Sequence, residues 1–161
     1  MPRRHQEIER KFLVRGDGWR LGAQGVPCRQ GYLVATPRCT VRVRVIGVRA
    51  YLTVKGPTVG VERPELEYPI PMDDATLLLA GECLDGAVVE KTRYLLRHAG
   101  ADWEVDEYHG ANRGLIVAEI ELPAEDTPIA LPAWVGEEVS YDSRYFNASL
   151  ARTPYGAWGA R

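Results

Sequence analysis

The sequence predicts an α+β fold in which eight antiparallel strands dominate and two or three helices are peripheral. Eight segments have the β-branched and aromatic composition of strands. Many of them alternate charged with apolar residues at a period of two, which is the period of a strand. Short turn sequences such as AGAD and GANRG separate the later strands, as in antiparallel hairpins.

The composition is that of one ordinary globular domain. The chain has 161 residues, of which 45% are hydrophobic, enough for a single core. A net charge of −2 gives no general attraction to nucleic acid or to an anionic membrane. Three cysteines without CxxC spacing argue against a disulfide framework or a cysteine zinc site. There is no apolar run of ~20 residues and no signal-peptide pattern, so we expect a cytoplasmic protein.

The strands follow one another along the chain with short connections. Residues 7–14 (EIERKFLV) place charges at every second position, and residues 39–47 alternate Val with Arg. In residues 61–70, Pro64 and Pro69 predict an edge strand or a bulge, because proline cannot donate to the ladder. The predicted strands are 7–14, 28–35, 39–47, 49–56, 61–70, 87–98, 101–110 and 114–123.

Three segments have helical features. Residues 15–25 predict one short helix with Asp17 as its N-cap. Residues 72–82 predict a second helix, with one of its two aspartates as the cap and Gly81 near the end. Residues 140–152 (SYDSRYFNASLAR) predict a third helix that begins with a capping Ser or Asp.

Charged residues recur on one face of six strands, while the opposite face is mostly apolar. Two interpretations follow: an open sheet with its charged face in water, or a closed barrel whose charged rows point inward. The scarcity of neutral polar residues on the charged faces favours the barrel. The acidic positions are Glu7, Glu9, Glu65, Glu67, Glu104, Asp106, Glu119 and Glu121, and the basic positions are Lys11, Arg42, Arg44, Lys55, Lys91 and Arg93.

Such rows inside a barrel need a ligand, because buried charges are costly unless they are paired. A divalent cation that prefers oxygen ligands, Mg²⁺ or Mn²⁺, would relieve the repulsion between neighbouring carboxylates. Lysine and arginine side chains suit phosphate oxygens. Eight acids and six bases give the interior a charge of −2, which becomes positive when two divalent metals bind. A chain of phosphates that carries metal ions is the ligand that would interact with both the acidic and the basic rows.

In their order along the chain, these segments resemble the motifs of the CYTH superfamily, the triphosphate tunnel metalloenzymes. The first strand has the ExExK motif of that family at Glu7, Glu9 and Lys11. ExExK alone is a weak signal, whereas the ordered set of motifs spans almost the whole chain. The other similar segments are VRVR at 41–44, TVKG at 53–56, ELE at 65–67, KTRY at 91–94, WEVD at 103–106, AEIEL at 118–122 and SYDSRYFN at 140–147.

The resemblance implies an eight-stranded antiparallel β-barrel, or tunnel, with a few peripheral helices. We place this tunnel domain at residues 1–152 and a C-terminal tail at 153–161, which either covers one tunnel mouth or is disordered. The resemblance also implies that a triphosphate binds end-on in the tunnel with Mg²⁺ or Mn²⁺. The chain is most similar to the small bacterial enzymes of this family that hydrolyse inorganic tripolyphosphate to pyrophosphate and phosphate.

On this basis we expect two metal ions and a set of cations that grip phosphate. The metal-ligand candidates are Glu7, Glu9, Glu119 and Glu121 for one ion, Glu104 and Asp106 for a second ion or its waters, and also Glu65 and Glu67. The catalytic candidates are Glu7, Glu9, Lys11, Arg42, Arg44, Lys55, Lys91 and Arg93, and these six cations also bind substrate. Tyr32 and Arg144 are further substrate-binding candidates at the tunnel rim, with packing and a surface salt bridge as the respective alternatives.

Two other function classes stay open at this point. One is an enzyme of the same fold that acts on an organic triphosphate: ATP cyclised to cyclic AMP, thiamine triphosphate, or an RNA 5′ end. RNA is the least favoured, because no basic stretch extends beyond the tunnel. The other is a non-catalytic module that binds polyphosphate or a nucleotide. We expect a monomer or homodimer whose partner is a small-molecule triphosphate, without nucleic acid or membrane.

Overall fold

Nine antiparallel strands form one sheet, and eight of them close into a barrel. The computed structural model describes residues 3–159, with side chains from residue 7 onward. The strands are β1 (Arg3–Val14), β2 (Gly25–Ala35), β3 (Thr40–Ile46), β4 (Arg49–Lys55), β5 (Glu62–Ile70), β6 (Val89–His98), β7 (Ala101–Tyr108), β8 (Ile116–Glu121) and β9 (Val135–Glu138). The helices are α1 (Met72–Leu78) and α2 (Asn147–Arg152), with 3-10 turns at Gly18–Arg20, Gly110–Asn112, Ser143–Tyr145 and Tyr155–Ala157.

The barrel closes at β1, which has a different strand on each side. Neighbouring strands follow the order β5-β4-β3-β2-β6-β7-β8-β1-β9, and an additional β1–β5 pairing completes the ring. Residues 3–8 of β1 pair with β5, and residues 9–13 pair with β8. Farther along, β9 pairs with β1 at Phe12 and Val14. The end of β1 that β5 leaves open is therefore covered by β9.

The charged faces of the strands point into the barrel, and the apolar faces point outward. On β1, Glu7, Glu9 and Lys11 line the interior cavity, whereas Ile8 and Phe12 belong to a hydrophobic cluster on the outer face. This alternation follows from the period-two geometry of a strand. It confirms the predicted barrel with inward charged rows and excludes the open sheet with its charged face in water.

Two hydrophobic clusters cover the outer face of the barrel. Ala75 of helix α1 and Leu79, the residue after the helix, pack against β3 and β4. A second cluster around the fully buried rings of Trp19 and Trp103 covers the outer faces of β1, β7 and β8. Burial of this apolar area is the main favourable contribution to folding. The barrel thus has its hydrophobic core outside the sheet and its polar groups inside.

Helix α2 closes one end of the barrel. Its Leu150 and Ala151 pack against Tyr108 and Val117, which belong to the inward faces of β7 and β8. The inward faces therefore change from charged to apolar toward the end that α2 occupies. This contact places the residues just before and at the start of α2 next to the charged interior.

The chain after α2 packs on the same end of the molecule. The Trp158 ring meets the Tyr145 ring edge-on, with centroids 5.1 Å apart, and lies 5.0 Å from the Tyr155 ring. Residues 160–161 of the predicted tail lie outside the described residues. The domain boundary at residue 152 stays a prediction.

Two strand predictions differ from the structure. Strand β9 was not predicted, because a four-residue segment in a proline-rich region gives no clear period. The prediction that β5 is an edge or bulged strand is wrong, since β5 pairs in regular register with both β1 and β4. Pro64 lacks an N–H, and the Arg63 guanidinium donates to the Gly56 carbonyl (3.1 Å) where that N–H would lie. Pro69 lies beyond the part of β5 that pairs with β1.

The predicted helices are shorter in the structure. Residues 15–25 contain only the 3-10 turn Gly18–Arg20, whose predicted cap Asp17 makes no capping hydrogen bond. Helix α1 begins after Pro71, and its two aspartates lie inside the first turn instead of capping it. The prediction for 140–152 divides into a 3-10 turn and α2. Within residues 3–159, no helix has the length and apolar character needed to cross a membrane.

Candidate active site

The barrel encloses a cavity of about 1440 Å³, here called the lumen, along the charged faces of its strands. Because these faces come from strands that surround one space, the separate rows of the sequence become walls that face one another. The charged residues of the strands that line the lumen are Glu7, Glu9, Lys11, Arg42, Arg44, Lys55, Arg63, Glu65, Glu67, Arg93, Asp102, Glu104, Glu119 and Glu121.

Strands β1 and β8 bring three glutamates and one lysine together. Glu9 lies opposite Glu121 in the ladder, and Lys11 lies opposite Glu119. Lys11 Nζ is 3.2 Å from Glu119 Oε1 and 4.0 Å from Glu9 Oε1. This wall therefore has more carboxylates than the neighbouring ammonium can neutralise.

The protonation equilibria of these groups reflect that imbalance. Burial, followed by the charge of Glu119, raises the pKa of Glu9 to about 8. Burial has the same effect on Glu119, but the Lys11 ammonium outweighs it and lowers the pKa of Glu119 to about 2. Burial disfavours the charge on Lys11, yet Glu119 and Glu9 together raise its pKa. Glu119 and Lys11 thus form a stable ion pair, while Glu9 keeps a proton at neutral pH.

Arg42 and Arg44 form a cationic wall on β3. Arg42 Nη2 donates to Thr53 Oγ1 (3.3 Å), and Arg44 Nη2 donates to Glu67 Oε2 (3.3 Å). The Nε of each arginine is buried and has no acceptor among the described residues. Burial, and then the charges of Arg42 and Arg93, lower the pKa of Arg44. Crowded cations with unsatisfied donors are the features of an anion site.

Lys55 lies between two carboxylates on the neighbouring strands. Its Nζ is 2.6 Å from Glu7 Oε2 and 3.4 Å from Glu65 Oε2. Burial alone would raise the pKa of Glu65, but Lys55 outweighs this effect and the pKa is lowered. One ammonium between two carboxylates leaves this part of the lumen wall with an excess of negative charge.

Asp106 holds two cations between β6 and β7. Its Oδ2 accepts from Lys91 Nζ (2.6 Å), and Arg93 binds both carboxylate oxygens at 2.8 Å. Burial opposes the charge of Asp106, but Arg93 and Lys91 hold its pKa well below the usual range. Arg93 also lies 2.7 Å from Glu104. Lys91 and Asp106 have fully buried side chains behind the lumen wall, so Arg93 and Glu104 are the members of this group that face the lumen.

The two predicted rim residues lie in different places. Tyr32 lines the lumen, and its hydroxyl accepts a hydrogen bond from Gln30 Nε2 at 3.5 Å. Arg144 lies outside the lumen wall, where its guanidinium binds Asp142 and stacks over the Trp158 ring at 5.3 Å. The surface salt bridge anticipated as the alternative for Arg144 is therefore present.

Divalent metals fit the carboxylate wall of β1 and β8. Among the described side chains, no group of three or more His, Cys, Asp or Glu lies close enough together to hold a metal ion as it stands. Glu119 Oε1 is buried and accepts no well-aligned hydrogen bond, although Lys11 Nζ lies 3.2 Å away. Burial, and then the charge of Glu119, raise the pKa of Glu9, and a bound cation would oppose both effects. The donors are all carboxylate oxygens, which suit Mg²⁺ and Mn²⁺.

Arg63 and Asn147 are among the lumen residues that were not predicted from the sequence. Arg63 precedes Glu65 by two positions on β5, so the period-two rule applied to β5 would have found it. Asn147, the first residue of α2, accepts from Tyr108 Oη (2.7 Å) and from Lys91 Nζ (3.4 Å). Asn147 ends the SYDSRYFN segment that resembles the family, but strand periodicity gives it no role, because its contacts depend on where α2 docks.

Comparison with known proteins gives relatives along nearly the whole chain. An inorganic triphosphatase of Acetivibrio thermocellus is 47% identical over 150 residues, covering 93% of this chain and 96% of that protein. An inorganic triphosphatase of Nitrosomonas europaea is 38% identical over 151 residues, covering 90% and 96%.

Solved structures have the same fold. The crystal structure of the inorganic triphosphatase NE1496 matches with a TM-score of 0.64 at 36% identity, covering 90% of this chain and 93% of that chain. The PH1012 protein of Pyrococcus horikoshii matches in fold, with a TM-score of 0.57 at 23% identity over 74% of this chain and 80% of that chain. A family model described as the CYTH domain matches residues 5–155. Since this match spans almost the entire chain and agrees with the charged barrel, the protein belongs to the CYTH domain family.

Proposed function

We propose that this protein hydrolyses inorganic triphosphate in the lumen with the help of a divalent metal. The strongest support is that two chemically different walls of the lumen face each other. One has crowded carboxylates, with the pKa of Glu9 raised to about 8, and the other has arginines with unsatisfied buried donors. A metal-bound triphosphate presents a cation to the first wall and phosphate oxygens to the second. The relatives named inorganic triphosphatase favour this substrate over an organic triphosphate or a binding-only role.

Glu7, Glu9, Glu119 and Glu121 would hold a Mg²⁺ or Mn²⁺ ion, and Glu65, Glu67 and Glu104 are the other lumen glutamates, which would serve a second. A divalent ion supplies two effects when bound: it lowers the pKa of a coordinated water and neutralises charge on the phosphates. Asp106, expected from the sequence to share this task, is engaged by Lys91 and Arg93. We assign Asp106 to positioning Arg93.

The cations of the lumen would bind and orient the phosphates. Lys11, Arg42, Arg44, Lys55 and Arg93 all face the lumen, and their positions are fixed by the surrounding carboxylates and by Thr53. Phosphoryl transfer depends mainly on positioning and on charge stabilisation, so donors that are in place before the reaction lower its barrier. Lys91, behind the wall, keeps Asp106 ionised and thereby holds Arg93 in place.

The test is phosphate release from tripolyphosphate, ATP and thiamine triphosphate in parallel, each with Mg²⁺, with Mn²⁺ and with EDTA. We expect fast release from tripolyphosphate that requires metal and far exceeds release from the other two substrates. Faster release from ATP or thiamine triphosphate would move the proposal to that substrate. A folded protein that binds tripolyphosphate and releases no phosphate from any substrate would refute hydrolysis.

A further inference from the structure

Among the residues whose side chains are described, Arg63 is a lumen cation of the barrel strands without a counter-ion. Four other cations on these strands lie within 4.0 Å of a carboxylate oxygen in the lumen wall. Among the residues whose side chains are described, Arg42 and Arg63 have no such partner. The four paired cations are Lys11, Arg44, Lys55 and Arg93.

The guanidinium of Arg63 is fixed by two hydrogen bonds. Its Nη2 donates to Thr40 Oγ1 (3.3 Å) and to the Gly56 carbonyl (3.1 Å). The Gly56 N–H donates to the Pro64 carbonyl (3.0 Å), and proline has no N–H to complete the pair. Arg63 supplies that missing donor, so its side chain is held across the end of β4 and reaches β3.

These bonds leave part of the guanidinium unused. Arg63 Nε is buried and has no acceptor among the described residues. The nearest carboxylates along the strands are Glu7, opposite Arg63 in the β1–β5 ladder, and Glu65, two residues farther on, and both are ion-paired with Lys55. A buried donor without an acceptor costs free energy, which a ligand oxygen would recover.

Arg42 lies close to Arg63 along the same part of the wall. It follows Thr40, the Arg63 anchor, by two residues on the lumen face of β3, a separation of ~7 Å along a strand. Its own Nε is unsatisfied as well, and its charge acts on Arg44, as does that of Arg93. These cations mark the centre of the anion site, and Arg63 lies to one side of it. A ligand must extend from the centre to reach Arg63.

We propose that Arg63 binds an end phosphate of a linear triphosphate and makes the lumen select three linked phosphates over two. This inference rests on the proposed function, because it concerns the same lumen. A pyrophosphate held by the central arginines leaves Arg63 Nε unsatisfied, whereas the third phosphate of a tripolyphosphate reaches it. Arg63 then determines substrate specificity, and its hydrogen bond to the Gly56 carbonyl also stabilises the end of β4.

The experiment measures binding of tripolyphosphate and of pyrophosphate by calorimetry in EDTA. The proteins are the wild type, Arg63→Gln, Arg63→Lys and the control Arg97→Gln, which removes an exposed arginine that pairs with Asp102. We expect Arg63→Gln to weaken tripolyphosphate binding about tenfold, the effect of losing one charge-assisted hydrogen bond, and pyrophosphate binding less than about twofold. Arg63→Lys keeps the charge without the planar fork and gives an intermediate loss. Arg97→Gln changes neither affinity.

A second variant separates the role of Arg63 in ligand binding from its structural role at the end of β4. Thr40→Val removes one anchor of the guanidinium and leaves the bond to Gly56, so we expect a smaller loss for tripolyphosphate alone. Equal losses for both ligands, or a lower melting temperature with unchanged affinities, would overturn the inference. Undetectable binding of tripolyphosphate by the wild type in EDTA would overturn it too. The proposed function is judged separately, by wild-type phosphate release with metal.

Discussion

Single residues of the lumen fall into two groups, according to whether the protein supplies their counter-ion. Lys11 and Glu119 neutralise each other, as do Arg93 and Asp106. Glu9 is the opposite case, because burial and then the charge of Glu119 raise its pKa to about 8, and Lys11 offsets this only in part. Groups of the second kind hold free energy that a ligand can recover, so they are the residues whose substitution separates function from folding.

Glu9→Gln tests this distinction directly. We expect metal-dependent release of phosphate from tripolyphosphate to fall by about two to three orders of magnitude, because one charged ligand of the metal is lost. The melting temperature should stay the same or rise, since glutamine is uncharged and removes the cost of keeping a buried carboxyl group protonated at neutral pH. The matched control is Glu90→Gln, an exposed glutamate paired with Arg29, which should keep full activity. Equal activity of both variants would remove Glu9 from the site.

The same residue predicts a pH dependence of stability in metal-free protein. The Glu9 pKa is about 8 when folded, against an ordinary value of 4.5. Between these values the folded state keeps a proton that the unfolded state has lost, so this contribution to stability declines as pH rises and is gone above pH 8. In EDTA, the melting temperature of Glu9→Gln minus that of the wild type should increase from pH 5 to about 8 and then level off. A difference that does not vary with pH would contradict the assignment.

Among the elements, the β6–β7 hairpin contains an inner and an outer acid–base pair. Asp106 with Arg93 is buried beside the lumen, whereas Asp102 with Arg97 is exposed near the turn. The outer pair is exposed to water, whereas the Asp106 side chain of the inner pair is fully buried and is bound by Arg93 and Lys91. The two pairs allow the cost of removing a carboxylate to be compared within one element.

Asp106→Asn should lower the free energy of unfolding by about 3–5 kcal/mol, because Lys91 and Arg93 lose their buried counter-ion. Asp102→Asn on the same strand should cost less than about 1 kcal/mol, as expected for an exposed pair. Urea denaturation of the two variants and the wild type measures both values. Similar costs for the two substitutions would show that the inner pair is open to solvent.

The segment between α1 and β6 lies against the backbone of α2 at Gly86. This glycine has φ +91°, and a Cβ there would lie 2.7 Å from the Ala151 carbonyl oxygen. Gly81 in the same segment has φ +109°, with nothing within 4 Å of a Cβ. The two glycines share the left-handed conformation and differ in the space around them.

Gly86→Ala is therefore expected to destabilise the protein more than Gly81→Ala. Both substitutions pay the strain of positive φ, about 1–2 kcal/mol, and only the first also displaces α2. Thermal melts give the difference, and binding of tripolyphosphate should weaken in Gly86→Ala alone, because α2 carries the lumen residue Asn147. Equal melting temperatures would mean that α2 moves away without cost.

On the scale of the whole molecule, the barrel places its hydrophobic clusters outside and its charges inside. The lumen therefore contributes ion pairs and unsatisfied groups to the free protein, while the outer clusters supply the apolar burial. A ligand that bridges opposite walls binds strands that are far apart in the ring. Its binding should consequently stabilise the whole barrel and not one local segment.

Tripolyphosphate should raise the melting temperature, and more with Mg²⁺ than with EDTA. Saturation at one hundred times the dissociation constant adds about 2.7 kcal/mol to the stability of the folded state. In EDTA the shift should shrink as salt is added, because charges that remain open to water are screened. Orthophosphate at equal ionic strength is the control and should give a smaller shift. Equal shifts with both anions would argue against a site for linked phosphates.

The sequence by itself determined the barrel strands, their two faces and the types of charge on each. These features depend on neighbours two residues apart, such as Glu7, Glu9 and Lys11, and the period of a strand places them on one face in any sheet. The ordered motifs also determined the family, because the spacing of so many charged rows is matched along almost the whole chain.

Only the tertiary structure decided which of these residues face the lumen and which lie behind it. Lys91 and Asp106 share a face with Arg93 and Glu104, yet α2 and Tyr108 cover them, and Arg144 turns to the outer surface. The closing β1–β5 pairing likewise makes β5 an interior strand despite its prolines. Such outcomes depend on contacts between segments far apart in the chain, and local periodicity contains no information about where those segments dock.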